Sequence, residues 1–511
     1  MKQQLFALTK QFKAASITDR CAMLAFASLC LFVLDVSITG GGHYCMVGPI
    51  SLRMLLAGVC FVLSMPLLIQ RVRSLVTKPL ILMFIAFIIY LIVCAVRGLL
   101  GNGRMNVLIS DLKGFTWLFL MPLVIVLVTD RNRFESLLTV IVIGGVIQAT
   151  VVFLTNLLCC FILENSTLLE SYFIQNQIGT VDRITNGFFR IFMNSSPYMT
   201  IACAIALIRQ VQAGRPLLRY VLSIAWMSCA ILVSFTRSLY GCNLIVMLCV
   251  SIGTFLFFHT GWKKHIKLLV ITAAATGCLF FAAEFTFNAN YFNFAIARTF
   301  GTEIHNSLAM DLRSTLEEWL TPESDNATQV PNAAPQVDTL SKAADNTILR
   351  NTSTPSGMDP QKEYLNMTQA SDALRKQTQQ ELLTLIAQNP VFGHGLGAYA
   401  PVRDTGSQPD TDGLDEFFYL DMLARTGVVG LLLYIAPFGY IVYCFLKARK
   451  QIQLMPGALA MLCGMVGFWA ITWFNPWMNA VLGITAYALC CTIPQLLQEK
   501  TSESVNTTQL F

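Results

Sequence analysis

Arg183 and Arg190, in DRITNGFFRIF, and Arg237, in SFTRSLYG, are the side chains of this sequence best suited to gripping phosphate. A planar guanidinium fork meets phosphate oxygens bidentately, so two or three of them at one surface form a clamp for a diphosphate. The simpler alternative is that each snorkels to the membrane surface or pairs with a lipid headgroup. A second chemical group lies between Asn389 and Tyr434. There the Gly-rich turn NPVFGHGLG carries His394, and Asp410, Asp412, Asp415 and Glu416 stand just ahead of an apolar helix. A carboxylate partly withdrawn from water at that helix start, as Glu416 would be, has the raised pKa that suits a general base. It also fits a first-turn acid favoured by the helix dipole. His394 is a second candidate base, or a brace for the turn. The pair Asp410 and Asp412 has the Asp-x-Asp form that holds a divalent metal in many sugar-nucleotide enzymes. Nucleotide sugars are cytoplasmic and this pair reads as outside, so no metal is assigned to it.

The elements that must position these residues are membrane helices. Hydrophobic residues make up 55% of the 511 and charged residues only 13%, a balance a soluble chain of this length hardly sustains. A hydrocarbon core ~30 Å thick takes about 20 apolar residues per helix, and the sequence divides into twelve such spans. They run from Cys21 to Ser37, Ile50 to Ile69, Pro79 to Val96, Asp111 to Val128, Leu137 to Phe161 and Met193 to Val211. The others run from Leu217 to Phe235, Leu239 to Phe258, Leu268 to Phe287, Phe417 to Leu446, Pro456 to Phe474 and Trp477 to Leu497. The fold class is therefore all-α, a polytopic membrane protein of about 12 helices. Its first apolar stretch reads as a span rather than a removed signal peptide.

Charge sets the expected orientation. Lys2, Lys10, Lys13, Arg20, Arg71, Arg73, Lys78, Arg131, Arg133, Arg209, Arg215, Arg219, Lys263, Lys264, Lys267, Lys447, Arg449 and Lys450 fall at alternate span ends, which the positive-inside rule makes cytoplasmic. Both termini are then inside, and the net charge of +6 needs no nucleic-acid partner. The chain divides into spans one to nine (residues 1–287), an extracytoplasmic loop (288–416), spans ten to twelve (417–497) and a cytoplasmic tail (498–511). Within the loop, Glu303 to Leu320 has apolar residues at helical spacing and Thr321 to Gln361 has the composition of a linker. Lys362 to Gln388 reads as a helix with Leu374, Leu382, Leu383 and Ile386 on one side, ended by Asn389-Pro390. The 16 cysteines lie almost all inside spans, where they behave as small hydrophobes.

The FTRS motif between spans seven and eight, the turn NPVFGHGLG and the pattern YLDMLARTGVVGLLLY, together with the large loop between spans nine and ten, resemble the O-antigen ligase and polymerase superfamily of bacterial envelope glycosyltransferases. The resemblance implies a GT-C-like, metal-independent enzyme of the cytoplasmic (inner) membrane, without a cofactor. Its partners would be membrane lipid, a glycan carried on undecaprenyl diphosphate and an acceptor hydroxyl at the outer face. Carried over, Arg237 and Arg190 would hold the donor diphosphate, with Arg183 and Arg375 beside them. Ligases of this superfamily usually carry His-Asn or His-Ser shortly before the Tyr-Leu of the last motif. Here that position is Asp415-Glu416, which makes a carboxylate base or a polymerase the simpler reading.

Such a reaction has a physical rationale without a metal. Attack of the acceptor on the anomeric carbon builds negative charge on the leaving diphosphate. An arginine at ~4 Å contributes up to about 4 kcal/mol at an effective dielectric of ~20. A one-displacement, inverting reaction is the simplest form. A transporter or flippase is the alternative, but carriers usually place paired ionisable groups near the bilayer midplane. The candidates here, Asp35, Asp111, Lys113 and Glu284, all read toward the outer half.

Overall fold

The structure is a computed structural model that describes residues 16–47, 50–101, 103–163, 167–185, 188–258, 262–287, 360–398, 417–473, 475 and 477–498. The expected helix Glu303 to Leu320, the linker except for its last two residues, and the acidic cluster Asp410 to Glu416 lie outside these residues. Helix α1 (Ile17–Thr39) begins on Ser16, whose hydroxyl accepts the Asp19 amide at 3.1 Å. A short hairpin of β1 (Met46–Val47) and β2 (Ile50–Ser51) leads into α2 (Leu52–Val76), capped by Ser51. Pro79 then opens α3 (Pro79–Leu100), in the first turn, where its missing N–H costs no intrahelical hydrogen bond. After it come α4 (Met105–Phe115), a 3₁₀ turn, α5 (Leu120–Leu127) and α6 (Arg131–Phe161), which Asp130 caps.

Beyond the short helix α7 (Thr167–Gln175) the chain forms an antiparallel hairpin, β3 (Gly179–Thr185) with β4 (Phe188–Met193). Helices α8 (Ser196–Ala213), α9 (Leu218–Val233), α10 (Arg237–Phe258) and α11 (Trp262–Thr286) follow. The last group is α12 (Pro360–Gln388), α13 (Phe418–Lys447), α14 (Arg449–Ile452), α15 (Pro456–Ile471), α16 (Val481–Cys490) and α17 (Ile493–Gln498).

Among the described residues nine helical segments are long and apolar enough to cross a membrane, and α9 and α15 are shorter apolar helices. Helix α8 is the hub. It is buried along nearly its whole length, packed on α6, α9, α10 and α15. Small residues permit close packing here: Gly464 of α15 lies against Ile201 of α8, and Gly467 of α15 against Val246 and Cys242 of α10. Several cations read as cytoplasmic are tied down at helix ends. Lys78 Nζ reaches Gln495 Oε1 at 2.8 Å, and Arg209 meets Glu135 at 2.9 Å.

Three local expectations need correction. The two hairpins depart from the purely helical reading, and Met193 closes β4 instead of opening the sixth span. In β4 the apolar side chains alternate, with Phe189, Ile191 and Met193 buried, so period two prevails over helical pattern. In α12, Leu382 is buried but Leu383 is 48% exposed. Leu385 and Ile386 join Leu382 against Phe417, Leu420 and Ala424, because a step of one residue turns a side chain about 100° around the helix.

Candidate active site

Three of the four candidate arginines line one cavity of about 690 Å³. Arg190 comes from β4, Arg237 from the first turn of α10, and Arg375 from α12 with Lys376 and Gln379 beside it. Strand periodicity explains the first: Arg190 and Phe192 share a face of β4 and both line the cavity. Cross-strand register puts Asp182 directly opposite Arg190, and the two form an ion pair at 2.6 Å. Arg190 also donates to Ser234 O at 3.0 Å and to Thr236 Oγ1 at 3.3 Å. It therefore holds the short connection that carries Arg237. That connection is strained, since buried Phe235 has φ of 50°, a conformation rare for a bulky residue. The N-terminus of α10 faces the cavity through Thr236, Arg237, Ser238 and Gly241, so its helix dipole adds to the positive field. A Cβ at Gly241 would meet only open space.

The remaining candidates fall elsewhere. Arg183 lies on β3 opposite Phe189, and its side chain is outside the described residues. His394 is not among the described residues lining the cavity. Its Nε2 lies 2.8 Å from Leu385 O, near the C-terminus of α12, and its Nδ1 lies 3.5 Å from the Asn389 amide. Glu416 is outside the described residues, but Phe417, next to it in the chain, lines the cavity.

The turn NPVFGHGLG has a structural role that its sequence did not reveal. Helix α13 breaks at Gly427, with φ 68° and ψ −175°, and the turn inserts into the gap. A continuous helix would pair the amides of Val428 and Val429 with the carbonyls of Ala424 and Arg425. Instead Val428 N donates to Pro390 O at 2.9 Å and Val429 N to Val391 O at 3.2 Å. His394 N and Gly395 N donate to Ala424 O and Arg425 O, both at 2.8 Å. All four interrupted backbone groups are thereby satisfied within the protein, as a nonpolar surrounding requires. Gly393, Gly395 and Gly397 have φ of 65°, 95° and 83°, and a Cβ on Gly98 of α3 would strike the Leu396 carbonyl. Only glycines allow the turn to pass this close.

A buried charge cluster locks the joint. Arg425 contacts Asp111 of α4 and pairs with Asp421 at 2.6 Å, and all three side chains are at most 7% exposed. Asp111 Oδ2 also accepts the Gly397 amide at 2.8 Å. Sequence reading singled out Asp111 alone. The missed signal was Asp421 and Arg425 four residues apart in an apolar helix, opposite charges on one face.

These features define a multi-pass α-helical membrane protein with an open, cation-lined cavity between α10, α12, α15 and a β-hairpin. Residues 222–435 match the family model described as O-antigen ligase, which supports membership of the O-antigen ligase and polymerase superfamily that the motifs resemble. The matched stretch contains Arg237, Arg375, the Gly-rich turn and Arg425. No curated protein and no solved structure matches the chain.

Proposed function

We propose that this protein is a metal-independent glycosyltransferase that moves or polymerises a glycan from undecaprenyl diphosphate onto an acceptor hydroxyl at the outer face of the cytoplasmic membrane. The convergence of Arg190, Arg237 and Arg375 on one cavity carries the reading. Arg237 and Arg375 bind the donor diphosphate and stabilise the charge that develops on it as the glycosidic bond breaks. Arg190, paired with Asp182, has both a direct and a supporting part, since it fixes the turn beneath Arg237.

Glu416 is the base that takes the acceptor proton late in the displacement, and the neighbouring Phe417 in the cavity wall favours it over His394. With Nε2 against Leu385 O, His394 serves the turn instead. A single displacement inverts the anomeric configuration. In this reading both termini are inside and residues 288–416 outside, so that the cavity faces a lipid-linked donor at the outer surface.

The test is a deletion strain complemented with wild type, Arg237→Ala or Glu416→Gln at equal protein level, with surface glycan resolved on gels. Wild type is expected to restore long chains and both variants to fail. Single units retained on the native acceptor identify a polymerase, and accumulating lipid-linked polymer a ligase. Full restoration by Arg237→Ala would refute the clamp.

A further inference from the structure

The cavity holds aromatic surface that a diphosphate does not need. Trp473, just beyond α15, lines it together with the arginines and is 46% exposed. Its indole packs on the Tyr419 ring with centroids 5.5 Å apart, and Tyr419 in turn stacks on Trp469 at 6.1 Å. The Tyr419 hydroxyl donates to Trp469 O at 2.7 Å, which fixes the middle ring of the stack. One end of a rigid aromatic ladder is thus presented to the cavity. Gln379 and Asn475, both with amide side chains, line the same space.

We propose that Trp473 is the stacking platform for the sugar attached to the donor diphosphate, with Gln379 and Asn475 bonding that sugar's hydroxyls. The inference rests on the glycan-transfer reading and adds a residue that determines donor recognition. A pyranose ring has a face of C–H bonds with positive hydrogens, complementary to the negative face of an aromatic ring. Its edge of hydroxyls calls for groups that both donate and accept, as amides do. A prenyl chain needs no amide, and a phosphate needs no indole. The simpler role of an exposed Trp near a helix end is to anchor the helix at the membrane–water interface. An anchor would not discriminate between donors with and without sugar.

The test uses the full-length protein in proteoliposomes, as wild type, Trp473→Ala and Trp473→Phe. Two quantities are measured: KM for the undecaprenyl-diphosphate-linked glycan, and inhibition by undecaprenyl diphosphate lacking sugar. Loss of one stacking contact is expected to raise the KM of Trp473→Ala about tenfold, with Trp473→Phe close to wild type. Inhibition by the sugar-free lipid is expected to be the same in all three. An unchanged KM in Trp473→Ala would overturn the proposal, as would KM and the inhibition constant rising together. Should Trp473→Ala fold poorly, a Trp473→Phe protein with the KM of wild type and Trp473→Leu with a raised KM and unchanged inhibition carry the same decision. Absence of transfer by wild type would instead refute the underlying glycan-transfer reading.

Discussion

Arg237 and Arg190 were legible in the sequence because a cation in or beside an apolar span is costly and stands out against its neighbours, whereas Arg375, in a polar helix, came only from the family resemblance. Their convergence was not legible, since it depends on a hairpin, a helix start and a helix far along the chain meeting at one cavity. Removing a preorganised charge donor typically lowers turnover by about 10²–10³-fold, and Arg237→Ala is expected to fall in that range. Arg237→Lys should keep part of the activity, because an ammonium supplies charge without the bidentate fork. Steady-state kinetics on matched amounts of folded protein check both. Glu416→Gln and His394→Ala separate the two candidate bases. Glu416→Gln is expected to bind donor and not turn it over. His394→Ala is expected to lower the unfolding temperature and retain turnover, because its ring bonds Leu385 O.

The elements show why one motif can be visible and its purpose hidden. Three glycines within NPVFGHGLG mark a tight turn, but nothing local says that α13 will break at Gly427 and accept that turn into its hydrogen-bond ladder. The tie between Asp111 of α4 and the Asp421–Arg425 pair of α13 was hidden for the same reason, as those two helices are distant in sequence. Arg425→Met would leave two carboxylates buried without their cation, and removing one partner of a buried pair typically costs about 3–5 kcal/mol. Thermal unfolding in detergent should show a large downward shift, and Asp421→Asn in the same protein should recover part of it. Gly241 gives the opposite case. Its position has room for a side chain, so Gly241→Leu should unfold at the wild-type temperature yet reduce transfer by filling the cavity. Loss of stability instead of activity would mean that the space is needed for packing.

At the scale of the whole molecule, composition and span length made the helical membrane architecture legible, because a hydrocarbon layer leaves the chain few alternatives. The two hairpins escaped notice, being short and lying in connections between apolar helices. The proposed orientation can be checked by fusing a cytoplasm-dependent fluorescent reporter after residue 511 and inserting a protease site within residues 321–361. The reporter is expected to fluoresce, and the site to be cut from outside in intact spheroplasts.

The central claim is that the cavity transfers a lipid-linked glycan, and reconstitution tests it most directly. Purified protein in proteoliposomes, supplied with undecaprenyl-diphosphate-linked glycan and its acceptor in the presence of a metal chelator, is expected to form the glycosidic product. The Arg237→Ala protein is expected to form almost none. Movement of the intact donor across the bilayer with no glycosidic product would contradict the account and establish a flippase instead.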